Sequence, residues 1–392
     1  MLEFKLPEPQ PDPLLALIGR YRADPRTDKI DLGVGVYRDN NGNTPILAAV
    51  KEAETRLHQN QLSKSYLGLT GDIDFVDAYG QLIFGDSSRS VAGAQAPGGS
   101  GALRLAAEVF KTACPDGTLW VGLPTWPNHL PLTESAGVTT RTFPYFSREH
   151  QQILFDQMLE ALAAAKPGDG LLLHGCCHNP TGADMTPEQW QIIATLLADK
   201  SMLPIIDLAY HGLGRGMQQD LAATRLIVES NPQTLVATSC SKNFGLYRDR
   251  VGAVYMASAN SDLCKVTQNY FGQVARKIYS MPPDHGAAVV RIILEDNTLR
   301  SQWQTELDTM VERVNTLRKE IAEQGSKLNL DFVATQRGMF SLLPLSPLQV
   351  DSLITDHAVY LAGDGRINIA GCQIEQVPRF IEALSAVGFG GS

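Results

Sequence analysis

The chain reads as an α/β protein whose mostly parallel sheet is covered by helices on both faces, and three observations lead there. Short apolar runs of strand length alternate with stretches at helical spacing. Three of those runs end in polar, chemistry-bearing residues, as strands do where open α/β sheets place their ligands. The alternation extends over most of 392 residues, 44% of them hydrophobic, which supports a large core and two domains.

The elements follow in chain order. Pro97-Gly98-Gly99-Ser100-Gly101-Ala102-Leu103-Arg104 opens a helix with glycines, so that bare backbone N–H groups and a positive dipole end can hold an anion. Its spacing is neither G-x-x-x-x-G-K-[ST] nor G-x-G-x-x-G, which disfavours a nucleotide loop; a plain tight turn is the alternative. Trp126, within Pro124-Thr125-Trp126-Pro127-Asn128-His129, offers a flat face to a planar ring, or fills a core. Leu171-Leu172-Leu173 is a buried run leading into His174-Gly175-Cys176-Cys177-His178-Asn179-Pro180-Thr181-Gly182, which brings Asn179 to a strand end. The adjacent thiols lack the C-x₂₋₄-C spacing of zinc sites, so Cys176 and Cys177 are read as packing residues and no metal is expected.

Pro187 to Leu197 is a proline-led helix with apolar residues at helical spacing. Leu203-Pro204-Ile205-Ile206 is a second buried run, ending in Asp207 with Tyr210 three positions on. A buried carboxylate needs a partner, and a protonated ring nitrogen is one; a strand-end turn or N-cap is the other reading. Thr234-Leu235-Val236-Ala237-Thr238 then leads into Ser239-Cys240-Ser241-Lys242, a lysine at a strand's carboxyl end. Desolvation there lowers a lysine's pKa and frees its amine to attack a carbonyl, although most lysines after strands are solvated charges. Ser239 and Arg250 can add a hydroxyl and a fixed positive charge to an anion at the glycine-rich helix start. Lysine, carboxylate and anion cradle together fit pyridoxal phosphate. Trp303 to Gln324 reads as one amphipathic helix with Leu307, Met310, Val311, Val314 and Leu317 on its apolar stripe.

Composition excludes other classes. A net charge of −9 leaves no basic patch for nucleic acid and nothing to attract an anionic membrane. No apolar run approaches a membrane span, the first ten residues do not read as a secretion signal, and six scattered cysteines suit a reducing cytoplasm.

The chain resembles the class I pyridoxal-phosphate aminotransferases, in the aspartate and aromatic group. The likeness runs in order through Asp31 to Tyr37, Ser65-Tyr66-Leu67-Gly68, Gly98 to Leu103, Trp126-Pro127-Asn128-His129, His174 to Gly182 and Asp207 to Tyr210. It continues through the Lys242 segment, Tyr279-Ser280-Met281-Pro282-Pro283, Arg337-Gly338-Met339-Phe340 and Arg366 to Gly371. The resemblance implies fold type I of the pyridoxal-phosphate-dependent transferases, with Lys242 as Schiff-base lysine, Asp207 on the ring nitrogen and His129 behind it. Tyr210 and Asn179 would meet the ring's 3-oxygen, Trp126 its face, and Gly99, Ser100, Ser239 and Arg250 its phosphate. Tyr66 of a second subunit would join that phosphate. Arg366 would grip the substrate's α-carboxylate, helped by the Gly35 backbone, with Trp126 and Asn179 also beside the substrate. Arg276 of the partner would meet a side-chain carboxylate, so that a homodimer shares its active sites.

It further implies an N-terminal arm over residues 1–10, a small domain from 11–43 plus 308–392, and a large cofactor domain over 44–307. Ser65 and Met281, where aspartate enzymes usually carry asparagine, describe a softer pocket. They favour transamination of both aromatic and dicarboxylic amino acids with 2-oxoglutarate; strict aspartate use is the alternative. A Schiff-base lyase without pyridoxal phosphate would have no use for Asp207 and the anion cradle together. A non-enzymatic descendant would be expected to lack one of Lys242, Asp207 or Arg366.

Overall fold

The structure is a computed structural model and describes residues 13–390; the expected N-terminal arm lies outside them. Among the described residues, seven strands form the main sheet. From one edge to the other they are Ser90–Pro97, Val251–Ser258, Gln233–Ser239, Leu203–Leu208, Gly170–His174, Thr118–Leu123 and Thr139–Pro144. Val251–Ser258 runs antiparallel to both neighbours, and the remaining pairings are parallel.

Side-chain alternation along these strands decides where the chemistry emerges. Leu172, Ile205, Leu235 and Ala237 pack on the face covered by helices Gly98–Ala113 and Ser261–Ile278. Leu171, Leu173, Ile206, Leu208 and Val236 pack on the other. Successive side chains of a strand point to opposite faces, so the residues two beyond Leu172, Ile205 and Ala237 return to the first face. Those residues are His174, Asp207 and Ser239, and the glycine-rich start of helix Gly98–Ala113 lies over the same strand ends.

The other face is covered by helices that include Ile73–Phe84, Pro187–Asp199, Met217–Ser230 and His285–Glu295. The Pro187 helix starts as its sequence predicts, with Thr186 and Gln189 forming a reciprocal capping box. The long helix corrects an expectation: it spans Asn297–Gln324 and starts six residues before Trp303. Asp296 accepts hydrogen bonds from the Thr298 and Leu299 backbones and so sets its first turn, a cap that the apolar stripe does not reveal. The stripe residues Leu307, Met310, Val311, Val314 and Leu317 are all buried, each contributing about 1.5–3 kcal/mol by leaving water.

Chain ends distant in sequence meet beside this helix. Ile30–Asp31 pairs in parallel with Val359–Tyr360, and Phe340–Leu342 pairs antiparallel with Arg366–Asn368. Asp31 forms an ion pair with Arg38, and the Arg38 backbone donates to Ala370 O. These pairings bring Gly33, Gly35 and Arg366 to the carboxyl ends of the main strands.

Candidate active site

A cavity at the carboxyl edge of the sheet is lined by Gly99, Ser100, Leu103, Trp126, His174, Asn179, Asp207, Ala209, Tyr210, Ser239, Ser241, Lys242 and Arg250. It gathers nine of the sequence-predicted residues. Asp207 is buried at a parallel-strand register position opposite His174. Its Oδ2 lies 2.9 Å from His129 Nε2. Burial pushes the Asp207 carboxyl up, but the bond from His129 and nearby positive charge, including Lys242, outweigh it and hold the group below the ordinary carboxylate range. It is therefore an anion, and it is one in a dry place, where charge acts most strongly.

His129 is itself held. Its Nδ1 lies 2.7 Å from Thr125 Oγ1, which in turn lies 3.0 Å from His174 Nε2. Burial pulls His174 down to about 3, so that imidazole is neutral. Thr125 and His174 thus extend the support of Asp207 outward, roles that the sequence reading missed. The alternation after Leu172 was the available signal for His174.

The Lys242 amine makes no hydrogen bond or ion pair among the described residues; its Nζ lies over the Tyr210 ring, 4.8 Å from the centroid. Burial lowers its pKa to about 8, with Asp207 opposing the shift and Arg250 adding to it. The turn carrying it is rigid. Asn243 donates to His211 Nε2 at 2.9 Å and its carbonyl accepts from Trp303 Nε1 at 2.9 Å, while Phe244 stacks on the Trp303 indole at 4.4 Å. Tyr210 Oη accepts from Asn179 Nδ2 at 3.3 Å, and burial raises the phenol's pKa. It remains protonated and able to donate.

The anion cradle is present on one chain. Helix Gly98–Ala113 has no side-chain cap on its first turn, which leaves N–H groups for an anion. A β-carbon on Gly98 would come within 2.5 Å of the Arg250 guanidinium, so only glycine lets that cation lie against the helix start. Arg250 Nη1 donates to Ser241 Oγ at 3.3 Å. Ser241, one residue before the lysine, was not anticipated.

Arg366 lies beside this cavity in a cleft of about 1060 Å³ that also contains Trp126, Leu17 and Ile354. Its Nη1 donates to Asn179 Oδ1 at 3.3 Å and its Nη2 to Gly33 O at 3.4 Å. Its Nε is buried with no partner among the described residues, and the Phe340 ring lies 4.5 Å from the guanidinium carbon. Gly35 approaches Phe340 so closely that a β-carbon there would stand 3.0 Å from Cζ. Two predicted residues are elsewhere: Tyr66 is 91% exposed, and Arg276 is exposed at the end of helix Ser261–Ile278, donating to Ser280 Oγ at 3.0 Å. Neither enters the cavity of its own chain.

Cys176 and Cys177 come within 4.8 Å of Asp220. Both thiols are pushed up and stay neutral, Cys177 at about 12, while Asp220 accepts from the Gly212, Gly214 and Arg215 backbones.

An amine poised for carbonyl attack, an anionic carboxylate and an uncapped helix start around one cavity define an enzyme that handles amino groups through an aldehyde cofactor. The chain belongs to the aminotransferase class I and II family, whose profile matches residues 27–384. It is 50% identical over 364 residues to the tyrosine aminotransferase of Rhizobium meliloti, covering 92% of this chain and 93% of that one. It is 40% identical over 385 residues to the aspartate aminotransferase of Haemophilus influenzae, covering 96% and 97%. The aromatic-amino-acid aminotransferase of Burkholderia pseudomallei, solved covalently bound to pyridoxal phosphate, superposes with a TM-score of 0.95 at 35% identity, covering 99% of this chain and all of that one.

Proposed function

We propose that this chain transfers amino groups between aromatic or dicarboxylic L-amino acids and 2-oxoglutarate with pyridoxal phosphate as cofactor. The observation that carries the reading is the set Lys242, Asp207 and the uncapped Gly98–Ala113 helix around one cavity. The residues fit the cofactor. Lys242 would bond its aldehyde carbon, Asp207 its ring nitrogen, Tyr210 and Asn179 its 3-oxygen, and Trp126 its ring face. Gly99, Ser100, Ser239 and Arg250 would hold the phosphate, joined by Tyr66 of a second copy. When bound, pyridoxal phosphate supplies an electrophilic carbon for the substrate amine and a ring that draws electrons from the substrate's α-carbon.

The remaining work belongs to the chain. Lys242 Nζ would be the proton carrier, taking the substrate's α-proton as a general base and giving it up again as an acid. Asp207, hydrogen-bonded to His129 and held anionic, would keep the ring nitrogen of the cofactor protonated. The Arg366 fork binds the α-carboxylate, and the Gly35 N–H, which has no partner among the described residues, adds a donor. The second half-reaction reverses these steps with a different 2-oxo acid, so the kinetics are ping-pong.

Dicarboxylates would meet Arg276 of a second copy in a homodimer with shared sites; on its own chain this arginine is exposed and stands outside the cavity. The apolar cleft beside Arg366 and the adaptable Met281 support aromatic substrates. Residues 11–43 with 308–392 are taken as the small domain, 44–307 as the large one, and the cytoplasm as the compartment. Among the described residues no helix is long and apolar enough to cross a membrane. A coupled assay with 2-oxoglutarate, comparing aspartate, tyrosine and phenylalanine by kcat/KM, tests the reading. Comparable values for tyrosine and aspartate are expected; absence of aromatic turnover leaves a strict aspartate aminotransferase.

A further inference from the structure

Arg318 is 1% exposed, and every acceptor it meets is neutral. Its Nε donates to Gly338 O at 3.1 Å, and its Nη1 to Val333 O at 3.0 Å and Ser341 Oγ at 2.9 Å. Its Nη2 donates to Phe340 O at 2.6 Å, Gly338 O at 2.8 Å and Arg337 O at 3.2 Å. Burying a cation without a hydrogen-bonded counter-charge is costly, and apolar packing of the same volume is often as stable. What a guanidinium provides that apolar packing does not is a planar array of five N–H donors in fixed directions. Here that array gathers the carbonyls of Val333, Arg337, Gly338 and Phe340 and the Ser341 hydroxyl, all within residues 333–341.

That segment is the floor of the carboxylate site. Phe340–Leu342 pairs with the strand of Arg366, with Leu342 opposite Arg366 itself. The Phe340 ring lies under the Arg366 guanidinium at 4.5 Å and edge-on to Tyr210 at 5.8 Å. The loop following Asn179 is tied to the same segment, since the Arg337 N–H donates to Gly182 O at 2.7 Å. Gly182 and Gly338, at φ 68° and 76°, allow this close approach. The helix that carries Arg318 also carries Trp303, about four turns earlier, whose indole supports the turn of Lys242.

We propose that Arg318 is a positioning residue for carboxylate recognition. By folding residues 333–341 it seats Phe340 beneath Arg366 and aims that guanidinium at the substrate's α-carboxylate. The planar fork, more than the charge, is what the position requires. The inference rests on Arg366 being the α-carboxylate site.

The test uses the holoenzyme of Arg318→Lys, which keeps the charge and loses the fork. Three quantities are read: KM and kcat for tyrosine, the Kd of 3-phenylpropionate as a substrate-shaped carboxylate without an amine, and the pH midpoint of the visible cofactor band. Expected are rises of about tenfold in KM and Kd, a change in kcat below about threefold, and an unmoved midpoint, because the Lys242 turn is held by Trp303. Wild-type KM and Kd, or a loss confined to kcat, overturns the proposal. If Arg318→Lys does not fold, Ser341→Ala removes a single acceptor; a rise of about twofold in KM is expected, and an unchanged KM overturns it. Arg366→Lys separates the two readings. A wild-type Kd for that variant removes Arg366 from its role, whereas a weakened Kd beside a normal Arg318→Lys overturns only the present inference.

Discussion

The two arginines assigned to carboxylates sit in opposite surroundings. Arg366 is held over Phe340 with one buried nitrogen that has no partner among the described residues, on a strand paired with Phe340–Leu342. Arg276 extends from a helix end into solvent, its guanidinium meeting Ser280 Oγ. The first lies beside a cavity lined by its own chain; the second is exposed on its own chain, and its proposed role needs a second copy. The contrast separates what every substrate of the reaction needs, an α-carboxylate site and a proton carrier, from what only some substrates need.

Breaking the self-contained region removes all activity. Lys242→Ala is expected to slow transamination of every donor by about 10⁴-fold or more, since the nucleophile and the proton carrier are lost together. Turnover near the wild-type rate for any amino acid rules out the assignment. Asp207→Ala comes next, with a loss on the order of 10²–10³-fold for all donors. The protein should remain folded, as the His129 to Thr125 to His174 chain persists without it.

Breaking the exposed region should divide the substrates. Arg276→Leu is expected to cost dicarboxylates about 2–5 kcal/mol, measured as kcat/KM for aspartate, while phenylalanine changes little. Equal losses for both would erase the contrast. A mixing experiment sharpens it further. Lys242→Ala and Arg276→Leu chains, each poor with aspartate, should regain about a quarter of wild-type activity when refolded together, because half of the dimers are mixed and each mixed dimer holds one intact site. No recovery would place both residues on one chain's site.

The same contrast marks what was legible in the sequence. Asp207 and Ser239 each stand near the carboxyl end of an apolar strand, and the strand period of two puts them on one face at one sheet edge, with Lys242 following in the turn beyond Ser239. The glycines before Leu103 announced the anion cradle. Arg318 and Ser241 were hidden, because a buried arginine in an amphipathic helix has the pattern of a solvated one, and a serine beside a lysine has the pattern of a turn. The start of the long helix was missed because a single capping aspartate, not periodicity, determines it. Tyr66 and Arg276 came from resemblance alone: nothing in the local chemistry of an exposed tyrosine or arginine says that a second copy uses it.

The smallest effect expected concerns the state of Lys242 before the cofactor arrives. Burial disfavours its charged form and Arg250 adds to this, with Asp207 opposing, so that the amine loses its proton near pH 8. Exposed lysines do so near about 10.4. The shift is downward, so neutral amine accumulates as pH rises through 8, and the cost of holding a buried ammonium fades between there and the unfolded value. In cofactor-free protein, brief reductive methylation followed by peptide mass spectrometry should therefore label Lys242 with a midpoint near pH 8. In Arg250→Met one of the two causes is absent and the midpoint should rise, by less than one pH unit if burial is the larger cause. A midpoint for Lys242 at the ordinary lysine value of about 10.4 would mean that the lysine is as solvated as the residues of the exposed region, and the distinction between the two regions would not extend to their electrostatics.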